Sequence, residues 1–161
     1  MKPADLLSLL KEFHREKLGL RQRHVAVARH VDNYSFNNTY QYVIAREDVH
    51  LSWLEAAIAE LGGIADQVDE PAVQAPGKKE GIGALVQQDS REAEAFVSRW
   101  RPRTGDVTHA RHRGMLQVIL GETLEHKRFF DQILAGRDDL LGRRMDGAGT
   151  GDGVLGVRWI G

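Results

Sequence analysis

Apolar residues along this chain recur at alternating steps of three and four, the spacing that stacks side chains on one face of an α-helix. Leu6, Leu9, Leu10, Phe13, Leu20, Val27 and Val31 carry a first helix to about residue 31, and Pro3 suits its first turn. Its interior Gly19 costs about 1 kcal/mol relative to alanine, which implies close packing or a local bend. The polar pairs Asp32-Asn33 and Asn37-Asn38-Thr39 have turn and N-cap chemistry. They predict a short connection into a second helix, and so two antiparallel neighbours. The second helix carries Phe36, Tyr40, Val43, Glu47, His50, Leu54, Ala57 and Leu61 on one face and stops at Gly62-Gly63. Residues 64–81, with Pro71, Pro76, Gly77 and Gly81, show no sustained period and read as a long crossover. A third helix is predicted from near Ile82, with Ile82, Leu85, Asp89, Glu92, Phe96 and Trp100 on its stripe. It is expected to end by Pro102, with a tight turn at residues 103–106. The fourth carries Met115, Ile119, Glu122, His126, Phe129 and Ile133 and finishes at Gly136. Four amphipathic helices with one long crossover predict an all-α fold, an antiparallel four-helix bundle over residues 1–141.

Polar residues interrupt these apolar faces. Glu47 and His50 sit mid-stripe on the second helix, and Glu122 and His126 do so on the fourth. Following residues 9, 13, 16 and 20 puts Glu16 inward on the first, with His24 as a competing inward polar position, and the third offers Asp89 or Glu92. A buried carboxylate or imidazole without a partner costs several kcal/mol, so something must compensate each of them. Two readings follow. One is a metal site held by inward carboxylates and imidazoles; the other is a metal-free network of buried hydrogen bonds. His14, His30, His109 and His112 find no second partner at helical spacing and are expected at the surface.

Composition narrows the chemistry. There are 161 residues, 42% of them hydrophobic, which suits one domain with a real core. The formal net charge is −1, with no global attraction to nucleic acid or an anionic membrane. The basic run Arg99 to Arg103, with His109, Arg111, His112 and Arg113, reads as a solvated bundle end rather than a phosphate contact. With no cysteine, thiolate metal sites and disulfides are excluded, and any metal must be held by His, Asp and Glu. Neither a signal peptide nor a membrane-spanning run is read, so a cytoplasmic protein is expected.

The stretch Ala45-Arg46-Glu47-Asp48-Val49-His50-Leu51-Ser52-Trp53-Leu54, continuing to Gly62-Gly63, resembles the second helix of the ferritin-like superfamily, as in bacterioferritins and rubrerythrins. Residues 122–130, Glu122-Thr123-Leu124-Glu125-His126 and onward, are similar to their fourth helix. The resemblance covers residues 3 to about 136. It implies a non-haem centre of two carboxylate-bridged iron ions, with manganese as an alternative. The implied ligands are Glu47, His50, Glu122 and His126, with Glu16 and with Asp89 or Glu92. The implied function is oxidation of Fe(II) by oxygen or peroxide, for iron handling or oxidative-stress protection, in a homo-oligomer. A diiron hydroxylase of an organic substrate is the neighbouring alternative. One departure stands out: the family has glutamate three residues before the fourth-helix histidine, where this chain has Thr123. Glu122 lies four residues before it, and Glu125 is a further candidate ligand.

Residues 142–161 change character, holding seven of the 17 glycines. They read as a flexible linker closed by Val154-Leu155-Gly156-Val157-Arg158-Trp159-Ile160-Gly161. This tail resembles the C-terminal loading peptides by which cargo proteins dock inside encapsulin shells, with Leu155, Val157 and Ile160 as the apolar anchors. The implication is a location within such a compartment.

Overall fold

The computed structural model describes residues 1–137; the boundary expected at residue 141 and the tail with Leu155, Val157 and Ile160 lie outside the described residues. Four α-helices pack against one another, and no strand occurs among the described residues. They are α1 (Pro3–Ala28), α2 (Tyr34–Glu60), α3 (Gly83–Gly105) and α4 (Ala110–Leu134). In this four-helix bundle α1 lies chiefly against α2, and α3 against α4. Among the described residues, no helix is long and apolar enough to cross a membrane.

Local chemistry sets the helix ends. Pro3 opens α1, where a missing N–H costs nothing. Asn33 caps α2 by accepting from the Phe36 N–H at 3.0 Å. Both α2 and α4 close on a glycine in the left-handed region, Gly62 (φ 82°) and Gly136 (φ 78°). The Gly63 N–H then reaches back to the Ile58 carbonyl at 3.0 Å, and the Arg137 N–H to that of Gln132 at 2.9 Å. These bonds satisfy carbonyls that a straight helix end would leave bare.

At the third helix the structure departs from expectation. Pro102 lies inside α3, which continues through the expected turn to Gly105. Proline removes one N–H and crowds the preceding turn, but this close to a helix end little ladder remains to be lost. Thr104 is buried, and its hydroxyl donates to the Arg101 carbonyl at 2.9 Å, steadying the last turn.

The long connection, residues 61–82, is tied along α1. Arg15 holds Asp66 and Arg29 holds Glu70, while Gln22 donates to the Val68 carbonyl at 2.8 Å and His30 bonds the Val73 carbonyl at 3.1 Å. Residues 15, 22 and 29 repeat every seven positions, so they form one stripe down α1. A segment without periodicity of its own is thus ordered by a periodic helix face.

The core follows four regular stripes: Leu6, Leu10, Phe13, Lys17, Leu20, His24, Val27; Tyr40, Val43, Glu47, His50, Leu54, Ala57; Val86, Asp89, Ala93, Phe96, Trp100; and His112, Leu116, Ile119, Thr123, His126, Phe130, Ile133. All of these residues are buried. Apart from His112 at the start of α4, apolar residues fill both ends of the stripes, and the polar ones gather between.

Candidate functional site

The polar residues in mid-bundle come from all four helices. Glu47 on α2 is fully buried, and both its oxygens face α1. Oε1 takes a hydrogen bond from His24 Nδ1 at 2.6 Å, and Oε2 is ion-paired with Lys17 Nζ at 3.3 Å. The Lys17 ammonium, itself fully buried, also donates to Thr123 Oγ1 on α4 at 3.0 Å. Thr123 passes its own proton to the Ile119 carbonyl at 2.7 Å. The third side of the ammonium faces the Phe96 ring, 5.8 Å from its centroid.

A second carboxylate joins the group from α3. Asp89, fully buried, accepts from Tyr40 at 2.5 Å and from Arg23 Nε at 2.7 Å, with His24 Nε2 at 3.8 Å. His24 therefore lies between Glu47 and Asp89. Arg23 also meets Glu92 at 2.9 Å. On the α2–α4 side, Arg46 takes Glu122 in a two-pronged grip at 2.9 and 3.1 Å, and His50 Nε2 bonds the same carboxylate at 3.0 Å. The His50 and His126 rings stack with centroids 6.1 Å apart.

Electrostatics follow from burial and these neighbours. Burial alone would raise the Glu47 pKa, but His24 and Lys17 outweigh it and hold the carboxyl down to about 2. Glu122 is likewise held to about 2, with His50 and Arg46 overcoming its burial. For His24 burial works against the charged form, yet Glu47 and Asp89 raise its pKa overall. Lys17 is pushed down by burial, partly offset by Glu47. His50 and His126 are pushed down, His126 strongly, by burial and by the Lys17 charge.

The expected ligands are thus distributed unevenly. Glu47, His50, Glu122, His126 and Asp89 all belong to the buried network. Glu16 lies on another face of α1, where Arg99 and the Trp100 Nε1–H (3.0 Å) hold it. Glu92 is half-buried at the edge, on Arg23, and Glu125 is half-buried on α4. His14 and His112, expected at the surface, are buried: His14 bonds Glu55 at 3.3 Å, and His112 sits against His109 at 4.3 Å between ring centroids. Residue-type reasoning missed Lys17, Thr123, Arg23 and Arg46. The signal for two of them was present. The uninterrupted four-three alternation 6, 10, 13, 17, 20, 24, 27 places Lys17 inward, and 116, 119, 123, 126, 130 places Thr123 there instead of Glu122.

Do these residues suit two bridged metal ions? Lys17, Arg23 and Arg46 already face Glu47, Asp89, Glu92 and Glu122. A pair of divalent ions would add their whole charge beside cations that these carboxylates already have as partners. The Lys17 ammonium occupies the space between Glu47 and the fourth-helix residue that would supply a carboxylate, and that residue is a threonine. Among the described residues, no three His, Asp or Glu side chains are grouped so as to hold a metal ion. As arranged, the donor set does not fit a diiron centre. The chain matches none of the protein families, curated proteins or solved structures with which it was compared.

Proposed function

We propose that this chain is a ferritin-like bundle with antiparallel helices whose interior is closed by its own cations, so that it works as a metal-free structural protein. One observation carries this reading: the Lys17 ammonium, 3.3 Å from Glu47 and 3.0 Å from Thr123, supplies in the buried centre of the bundle the positive charge a metal would otherwise bring. The ammonium has a hydroxyl acceptor, a carboxylate and an aromatic face around it, and the Glu47 carboxylate is hydrogen-bonded at Oε1 and ion-paired at Oε2. On the resemblance of its tail, the bundle would be carried into an encapsulin-type shell as a non-catalytic, self-associating cargo.

A specific observation favours a second reading. Buried His50 Nδ1 and His126 Nδ1 have no hydrogen-bond partner, and unpartnered imidazole nitrogens are what a borderline metal takes. On that reading Glu47, His50 and His126 would have to leave their present arrangement, in which no three ligands are grouped among the described residues, to hold iron, and bound iron would supply redox chemistry toward oxygen or peroxide. The protein's part would be to exclude water around the site.

Metal analysis of the full chain, expressed with added iron, separates the two. The metal-free reading expects well under one ion per chain, and Fe(II) oxidation no faster than in buffer. Stoichiometric iron that disappears in His126→Ala would overturn it in favour of the second.

A further inference from the structure

We infer that the end of the bundle where α1 begins is a binding site for a small monocarboxylate with an apolar body. The apolar body lies in the cavity beside Leu6, Leu61 and Val107, and the carboxylate meets His112, His109 and Arg111. Leu6 stands about three helical turns along α1 from Lys17, so this site is separate from the buried ionic network.

Four segments of the chain meet around a cavity of about 370 Å³. Leu6 comes from α1, Leu61 from the residue after α2, Val107 from the turn between α3 and α4, and the two histidines and Arg111 from the start of α4. Leu6 and Val107 are buried and Leu61 is half-buried, so the inner wall is apolar. The volume is that of a small-molecule site, in which an apolar lining carries a few polar groups that orient the ligand.

His112 is the observation that points to a ligand. It is only 4% exposed and its ring opens onto the cavity, yet neither ring nitrogen has a hydrogen-bond partner among the described residues. Buried polar groups are nearly always partnered, so an unpartnered imidazole here calls for one. Its surroundings select the charge of that partner. His109 Nδ1 accepts from the His112 backbone N–H at 3.4 Å, which in the neutral ring places the proton on Nε2 and makes that nitrogen a donor. Burial, His109 and Arg111 hold the His112 pKa below the usual imidazole range, so a cation is already disfavoured at this position. The positive end of the 25-residue helix α4 lies there as well. Glu60 opposes these groups, but it is engaged by Arg111 Nη2 at 2.6 Å. Its charge on the cavity rim makes a single carboxylate a better fit than a doubly charged phosphate.

The experiment titrates the full chain with octanoate in a calorimeter, and separately with octanol and octylamine. We expect one equivalent of octanoate per chain, with the alcohol and the amine weaker by about tenfold or more. His112→Leu, which keeps the apolar packing, should weaken octanoate by about tenfold. Glu60→Gln should tighten it by roughly threefold or more, because a repelling charge is lost and Arg111 is released. Leu61→Trp, which fills the cavity from its half-buried wall, should abolish binding while helicity is kept. If His112→Leu does not fold, Glu60→Gln and Leu61→Trp decide the outcome. Absence of octanoate binding to the wild type below about 1 mM would overturn the inference. So would octanol or octylamine binding as tightly as octanoate, or an affinity unchanged in Glu60→Gln. None of these results depends on iron content, so the metal-free reading is tested separately.

Discussion

Two layers of this bundle are buried to the same degree and held by opposite physics. Toward one end, Phe13, Phe96 and Trp100 interlock, with Phe13 5.1 Å from Phe96 and 5.0 Å from Trp100 between ring centroids. There each buried surface stabilises by itself, and contacts are exchangeable within limits of volume. A turn away, Lys17, His24, Glu47 and Asp89 are as deeply enclosed, yet each would be costly alone. Their burial is tolerable only because charges pair across helices. The apolar layer supplies stability, while the ionic layer fixes which residues must face which. Burial alone therefore says nothing about the sign of a residue's contribution.

Breaking either layer should give the largest effects. Trp100→Ala should destabilise by about 3–5 kcal/mol in chemical denaturation, through lost contacts and a cavity. Glu47→Ala should cost a similar amount, about 3–5 kcal/mol, although it removes far less apolar surface, because Lys17 and His24 are left buried without their partner. A loss for Glu47→Ala below about 1 kcal/mol, the range of an exposed pair, would show that the ionic layer is not closed to water.

Acid should attack one layer only. Glu47 and Glu122 ionise near 2 in the folded chain against an ordinary value of 4.5. Their stabilisation is complete above about pH 4.5 and is lost as pH falls through 2, on the order of 2–3 kcal/mol for each. His50 and His126, held low by burial, add to the acid loss from about pH 6.5 downward. His24 works the other way: its pKa is raised, so its share is full below about 6.5 and disappears as pH climbs past its folded value. Denaturation measured across this range should be steeper on the acid side for wild type than for Glu122→Gln. Equal slopes would sink the assignment.

A smaller effect measures the pairing itself. In a cycle of Lys17→Met, Glu47→Gln and the double variant, the coupling energy should be about 1–3 kcal/mol, with the double variant less damaged than the sum of the singles. Additive losses would mean that the two groups do not act as a pair. Smallest, and opposite in sign, is Gly19→Ala. A Cβ at position 19 meets no heavy atom within 4 Å, so the change should stabilise the helix by about 0.5–1 kcal/mol. That outcome would also remove close packing as the reason for this glycine.

The four helices and their ends were legible because each rests on local chemistry: apolar spacing, Asn33 as cap, Gly62 and Gly136 as stops. Pro102 does not stop α3, since a proline within a turn of the helix end leaves few ladder bonds beyond it to disturb. Glu47 and His50 were legible as interior residues because Tyr40, Val43, Leu54 and Ala57 allow that helix only one inward face. A competing phase through Leu9 and Phe13 draws Glu16 inward, and one through Met115 and Ile119 does so for Glu122, which the structure leaves half-buried against Arg46 and His50. A helix turns about 100° per residue, so adjacent apolar pairs such as Leu9-Leu10 and Met115-Leu116 let the stripe be drawn two ways.

By itself, then, the sequence determined an all-helical chain with a polar layer in its middle, because periodicity and capping act over a few residues. Only the tertiary structure decided what that layer is made of. Lys17 meets Thr123 across 106 positions and Glu47 meets His24 across 23, contacts that exist only once four helices are set in register. Rotating α1 by one residue exchanges a carboxylate for an ammonium at the centre. The four-three alternation of α1 favours Lys17 inward, but adjacent apolar pairs leave a second phase open, and the packing of the other three helices makes the choice.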